Sequence, residues 1–317
     1  MRADTVSARQ IDRWIHANIG VLHENAGFTL TTLLGDAVAP HGGQIGLSSL
    51  VQIADLCHIQ EQTIRTAVFR VGGDGYSSTR VGRRSDVGLS EDHGPHHNQC
   101  LYRVYAETNP KWAGQWEIVS ISPTLVRETT QVSKLMRELK ADGYGVLSDR
   151  TLIRPYLLPA SKIGTKMVVS PEFRDALFVF LTQEAPTQAS NIDELVSFAW
   201  NLDDLSGRYK SFLDRFEPLL DLLWGAKSMD PPNAFIARTC LIHDFRKLVM
   251  DSPTLPASLA AECDYFRRAR YVVRELYDLL AHPSEAYVSQ VLETSDGSRP
   301  GLRKWFYDRF GGITPLG

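Results

Sequence analysis

QEQTIRTAVFRV, residues 60–71, followed after Gly72-Gly73-Asp74-Gly75 by YSSTRVGRRSDVGL, residues 76–89, decides how this chain is read. At about 100° per residue, Ile64, Ala67, Val68 and Val71 share one narrow stripe of a helix. Gln62, Arg65, Thr66, Phe69 and Arg70 fall on the opposite face. That outward set suits the major groove of DNA. Arginine bridges guanine O6 and N7, glutamine bridges adenine, and threonine or phenylalanine meets the thymine methyl. Behind the helix, residues 76–80 and 85–89 flank Val81-Gly82-Arg83-Arg84, an arginine-tipped turn between two short strands. Arg80, Arg83 and Arg84 are placed there to lie against phosphates or enter a minor groove.

Upstream, residues 47–56 (LSSLVQIADL) form a preceding helix, with Ser48 or Ser49 available to cap it, and Leu30, Leu33 and Leu34 set up a shorter first helix. A turn through Cys57, His58 and Ile59 joins the second helix to the third. Taken alone, residues 60–71 fit a solvated surface helix equally well, and the hairpin alone fits a solvated loop. Helix, turn, helix and arginine-tipped hairpin in this order indicate a winged helix-turn-helix. The charge distribution agrees. Net charge is −3, yet between residues 60 and 84 five arginines stand against two acids, Glu61 and Asp74. An acidic molecule with one basic stripe is the form of a site-specific DNA binder.

At 317 residues the chain is long enough for two or three domains, and 43% apolar with 22% charged residues is the balance of a globular protein with a substantial core. No apolar run approaches the ~18 residues of a membrane span. The start, MRADTVSARQIDRW, lacks the apolar region of a signal peptide, so a cytoplasmic, membrane-free protein is expected. Cys57, Cys100, Cys240 and Cys263 form no C-x-x-C pair, which argues against a disulfide framework or zinc ribbon.

Three textures follow one another: residues 1–105 for the DNA-binding domain, 106–190 for a mixed domain, and 191–317 for a helical domain of effector binding or dimerisation. In the middle one, 116–121 (WEIVSI) is a strand, and 126–141 is a helix with Val132, Leu135, Met136 and Leu139 on one face. Residues 144–147 and 152–155 suggest a hairpin, 167–169 a short strand, and 176–182 (ALFVFLT) a buried strand. This is the order of a ferredoxin-like αβ sandwich. After residue 191 the pattern is helical, broken at Pro231-Pro232 and around Pro253 to Pro256. The fold class is therefore α+β.

Several of these stretches resemble the PaaX-like family of phenylacetic acid catabolism repressors. They are Gly35-Asp36, His41-Gly42-Gly43, the run Ile64-Arg65-Thr66-Ala67-Val68-Phe69-Arg70 and Val81-Gly82-Arg83-Arg84-Ser85. The resemblance continues through Trp112-Ala113-Gly114-Gln115-Trp116, Tyr209-Lys210-Ser211-Phe212 and Arg215-Phe216-Glu217-Pro218-Leu219. It ends with Leu241-Ile242-His243-Asp244-Phe245-Arg246-Lys247, Asp251-Ser252-Pro253 and Arg309-Phe310-Gly311-Gly312. It implies a winged-helix N-terminal domain, a Cas2-like (ferredoxin-like) middle domain and a helical C-terminal domain. It also implies a bacterial homodimer on an inverted-repeat operator, released by a CoA thioester, typically phenylacetyl-CoA, with no catalytic activity or resident cofactor. Arg65, Thr66, Arg70, Arg83 and Arg84 match its DNA-binding positions. Two departures stand out: the loose Gly72-Gly73-Asp74-Gly75 turn, and Asp86-Val87-Gly88 where aromatics are common, with Asp86 expected to repel nearby phosphates.

Other constellations admit two readings each. His93, His96, His97 and Cys100, with Cys57 and His58 possible neighbours, have the chemistry of zinc ligands but match no zinc module, so a polar connector is the default. His243, Arg246 and Lys247 either grip CoA phosphates or lock helix packing through Asp244 or Asp251, and mid-helix cations favour packing. Trp112, Trp116, Trp200 and Tyr209 either line an aromatic acyl pocket or belong to the core. A metal-dependent nuclease, or a CoA- or metal-binding protein without a regulatory role, is the rival function. Glu117 alone at the start of the first middle-domain strand, with Ser120 and Ser122 at its end, offers no converging carboxylates for two-metal chemistry.

Overall fold

A computed structural model describes residues 2–71, 76–81, 84–89, 103–105, 112–157, 169–182, 191–225, 229–252, 255–256, 259 and 264–315. The fold is α+β, with two small antiparallel sheets among the described residues and a helical C-terminal part. It resolves into two compact units rather than the three consecutive segments expected. One unit holds residues 1–106, 212–247 and 268–317, and the other holds 107–211 and 248–267. The C-terminal helices are therefore divided, and most of their length completes the N-terminal unit.

In the first unit, α1 (Arg2–Asn18) and α2 (Ala26–Leu33) lead through a π-helical turn, Leu34–Val38, to β1 (Gln44–Gly46). There follow α3 (Leu47–Leu56), α4 (Glu61–Val71), β2 (Tyr76–Val81) and β3 (Arg84–Leu89). The sheet order is β1-β3-β2. Leu30, Leu33, Leu34, Ile45, Leu50, Ile53, Ile59, Ile64, Ala67 and Val87 are all buried. Gly42 and Gly43 both have φ near +90° (94° and 82°), so the His-Gly-Gly turn into β1 needs two residues without a Cβ.

Asp36 is the polar centre of this unit. Its Oδ1 accepts from Tyr105 (2.7 Å), Tyr277 (2.9 Å) and Arg309 Nη1 (2.9 Å), while Arg238 pairs with Oδ2 at 3.0 Å. Arg238 also reaches Glu285 at 2.6 Å, and Glu285 holds His41 at 2.7 Å. Burial and the Asp36 charge push the Tyr105 phenol well above its usual range. Apart from Tyr105, the partners come from α8 (Pro231–Asp251), α9 (Asp264–Val291) and the 3-10 turn Lys304–Gly311, so distant parts of the chain neutralise one buried carboxylate.

In the second unit, β4 (Trp112–Ile121), α5 (Thr129–Ala141), β5 (Gly145–Val146), β6 (Thr151–Leu157) and β7 (Leu177–Leu181) build a sheet of order β5-β6-β4-β7. Leu135 and Leu139 of α5 pack on Val119, Ile121 and Leu152. On the other face, α6 (Ile192–Trp200) brings Val196 and Ala199 against Trp116 and Ile153. Helix α7 (Leu202–Gly225) follows.

Three expectations are corrected here. The strand over 176–182 was expected to be buried, but Phe178, Val179, Phe180 and Leu181 are all exposed, because an unbroken apolar run does not distinguish a central strand from an edge. Helix α3 is capped at Gly46 rather than at Ser48 or Ser49. The Gly46 amide donates to Glu293 O at 2.8 Å, and a Cβ there would sit 2.8 Å from that oxygen. Of the short strand expected over 167–169, only Val169 is described, and it lies in no strand.

Candidate nucleic-acid interface

Helices α3 and α4 fall where the apolar period places them. The turn between them carries His58 at φ +57°, with its amide on Asp55 O (2.8 Å) and the Ile59 amide on Ala54 O (2.8 Å). Cys57 is wholly buried there, and burial pushes its thiol up to about 12, so it stays a protonated thiol. Gln60 O accepts from the Thr63 and Ile64 amides and starts α4.

Ile64 and Ala67 anchor α4 inward, while Gln62, Arg65, Phe69 and Arg70 are exposed and Thr66 is half-buried. Phe69 is 88% exposed, an apolar ring turned to solvent. Arg65 spends its Nε on Glu61 Oε1 (2.7 Å), which holds the guanidinium along the helix and leaves the Nη groups outward. The Thr66 hydroxyl donates back to Gln62 O at 2.7 Å, so only its acceptor side is available to a partner.

The hairpin pairs Val81 with Arg84 and Arg80 with Ser85. Arg84 is exposed and its Nη1 approaches Ser295 O at 3.4 Å. Arg83 and the side chain of Arg80 lie outside the described residues. The Asp86 carboxylate accepts from both the amide and the hydroxyl of Ser295. Gly88 faces Gly43 O so closely that a Cβ would lie 2.1 Å from it. A side chain has no room at that position.

The effector candidates fall into different units. In the first, His243 is buried against Phe28 (ring centroids 4.9 Å) and within 3.4 Å of Thr29 Oγ1, and burial lowers its imidazole to about 4. Arg246 stacks on Phe28 at 4.1 Å and donates to Phe28 O and Thr32 Oγ1, both at 3.0 Å. Lys247 makes an exposed pair with Glu24 at 3.2 Å. Asp244 is held by Arg215 rather than by Arg246. Helix α8 is thereby fastened to α2.

In the second unit, Trp116 and Trp200 meet at 6.4 Å, Trp112 lies 5.2 Å from Trp116, and Trp200 donates to Gly143 O (3.2 Å). Tyr209 packs on Phe266 (4.4 Å), with its hydroxyl 2.9 Å from Ser252 Oγ. Glu117 and Asp142 do converge, a placement the sequence did not reveal, but on Arg154 at 2.9 Å each. A guanidinium thus occupies the position that a divalent cation would need. His93, His96, His97 and Cys100 lie outside the described residues, and no group of three potential metal ligands occurs among the described ones. No described helix is long and apolar enough to cross a membrane.

With this geometry in place, comparison with known proteins decides the family. The family model of PaaX-like protein matches residues 26–93, which contain α2 to β3, and that of the PaaX-like protein C-terminal domain matches residues 200–290. The chain belongs to the PaaX-like family. A PaaX-like relative, the transcriptional repressor PaaX of Escherichia coli (strain K12), is 27% identical over 310 residues, covering 96% of each chain. The structure of the uncharacterized protein Rv0674 from Mycobacterium tuberculosis superposes with a TM-score of 0.51 at 17% identity, covering 80% of this chain and 96% of that one, a likeness of fold. The PaaX-like motifs gain a physical reading. Asp36 and Arg309 are a buried pair, and His41 is held between Glu285 Oε2 and Pro300 O (2.7 and 2.8 Å).

Proposed function

We propose that this PaaX-like chain is a sequence-specific DNA-binding transcriptional repressor of an aromatic-acid (phenylacetate-type) catabolic operon. In this reading it is a cytoplasmic bacterial homodimer on an inverted-repeat operator, released by an aryl-acyl-CoA thioester, and not an enzyme. The observation that carries it is the outer face of α4. Gln62, Arg65, Phe69 and Arg70 stand exposed on a helix whose inner face is locked by Ile64 and Ala67, with a basic hairpin behind. The order α2, α3, α4, β2, β3, with β1 added to β3, supports the winged helix-turn-helix assignment. The strand order β5-β6-β4-β7, with α5 between β4 and β5, supports a ferredoxin-like middle domain.

Nuclease chemistry is the less favoured reading, since Arg154 already neutralises the two carboxylates that converge in the sheet. For an effector to release the operator, it must bind the DNA-incompetent arrangement more tightly, with a coupling of about 1–3 kcal/mol.

A gel shift on the promoter of the protein's own operon tests the reader. Arg83→Ala weakens binding on all sequences and lowers the salt slope by about one, whereas Gln62→Ala chiefly relaxes sequence preference. If neither variant changes DNA binding, the reader is misassigned. An acyl-CoA series in thermal unfolding tests the effector, because a ligand at ~100 times its Kd adds about 2.7 kcal/mol.

A further inference from the structure

The first residue of α4 is an acid, Glu61, on a helix whose outer face suits a polyanion. A recognition helix meets base edges chiefly with its N-terminal residues. There the phosphates that flank a groove repel a carboxylate. A negative charge in the first turn favours the helix itself, and that benefit needs no particular aim. The Glu61 carboxylate does have an aim. Its Oε1 receives Arg65 Nε at 2.7 Å, one helical turn on, with the two side chains 57% and 45% exposed. Contact through Nε leaves the Nη groups of Arg65 as a fork, the geometry that spans guanine O6 and N7.

The carboxylate is the more selective half of this pair. Once ionised it accepts hydrogen bonds and donates none. In the major groove guanine shows two acceptors, thymine one, and adenine an acceptor beside its donor. Each of those acceptors repels a carboxylate. Cytosine alone shows a donor, its N4 amino group, with no acceptor on the same base. Four residues of helix rise about 6 Å, less than two base-pair steps of ~3.4 Å. Because the heads of Glu61 and Arg65 touch, both fall on one base pair or on two adjoining ones.

We propose that Glu61 is a specificity-determining residue of the reader and acts with Arg65 as one unit. Arg65 takes a guanine through its Nη groups. Glu61 takes the N4 amino group of a cytosine on the same or the adjoining base pair and rejects the other three bases there. The inference deepens the DNA-binding reading of the proposed function and rests on it.

Selection of bound duplexes from a randomised library with the full chain, followed by fluorescence anisotropy on the enriched site, tests this. The site is expected to hold a guanine and a cytosine within two adjoining base pairs, and replacing that cytosine weakens binding about tenfold or more. Glu61→Gln moves the preference at that position from cytosine to adenine, because glutamine bonds adenine N6 and N7 together. Glu61→Ala loses the preference and, with one negative charge fewer, binds non-operator DNA severalfold tighter at low salt. Methylating the cytosine N4 puts a methyl group where the carboxylate would bond. It weakens the unsubstituted chain and leaves Glu61→Ala unaffected. Glu61 is exposed, and circular dichroism verifies that each variant folds. Variants that weaken binding on every sequence alike, or that change stability and keep the preference, show a helix-stabilising role alone and overturn the proposal. The selection also separates the two readings. An enriched site whose preferences survive Glu61→Gln rejects this inference and leaves the reader standing, whereas a library from which the unsubstituted chain enriches nothing rejects the reader and this inference with it.

Discussion

Asp86 on β3 is tied to Ser295 beyond α9, with Oδ1 2.7 Å from the Ser295 amide nitrogen and Oδ2 2.6 Å from its hydroxyl. The hairpin is thus held by a segment more than 200 residues away in the chain. Ser295→Ala is expected to cost about 1 kcal/mol and Asp86→Ala about 2–3 kcal/mol in urea unfolding, since the latter also strands the amide. Asp86→Asn tests the electrostatic side. The neutral amide and hydroxyl leave the carboxylate its charge, so operator affinity at fixed low salt is expected to tighten severalfold, and an unchanged affinity would show that Asp86 lies away from phosphate.

His243 makes stability pH-dependent. Burial lowers its folded imidazole to about 4, against about 6.5 when unfolded, so between these values the unfolded chain holds the extra proton. Its contribution is therefore present above pH ~6.5 and lost as pH falls toward 4, by about 3 kcal/mol. Chemical unfolding of the unsubstituted chain and of His243→Gln at pH 7 and pH 4 checks this. The variant loses about that much less stability on acidification.

Gly88→Ala places a Cβ 2.1 Å from Gly43 O, a backbone atom that cannot rotate away. The strands β1 and β3 must part, with an expected loss of about 2–3 kcal/mol. DNA affinity is expected to fall with it, because β3 carries the hairpin. Circular dichroism melting alongside a gel shift reads both effects.

Arg154→Met removes the cation that Glu117 and Asp142 share in a buried site, at about 3–5 kcal/mol. Adding Glu117→Gln is expected to recover part of that loss. A double-mutant cycle by urea unfolding measures the coupling.

Local periodicity made some of this legible. Ile64 and Ala67 recur at helical spacing, so α4 and its outward residues were readable before any fold, as were α3, α5 and the β2-β3 hairpin. Contacts between distant residues were not. Nothing around Ser48 signals that the Gly46 amide is met by Glu293 O, so the cap was misplaced. Arg246 carried an ambiguity between ligand and packing, and its donors are spent on Phe28 O and Thr32, residues no local pattern links to it. Strand β7 was read as buried because a run without alternation has no outside, and exposure there depends on which strands the topology supplies.

The bond between Asp36 and Arg309 spans 273 positions. During synthesis at ~5–20 residues per second, the helix that carries Asp36 waits some tens of seconds for the arginine that completes its neutralisation. Until then the ion-pair partner of Asp36 is Arg238, a guanidinium that it shares with Glu285. The first unit thus gains this buried ion pair only once residue 309 has been made, so an early helix waits on a distant turn to be finished.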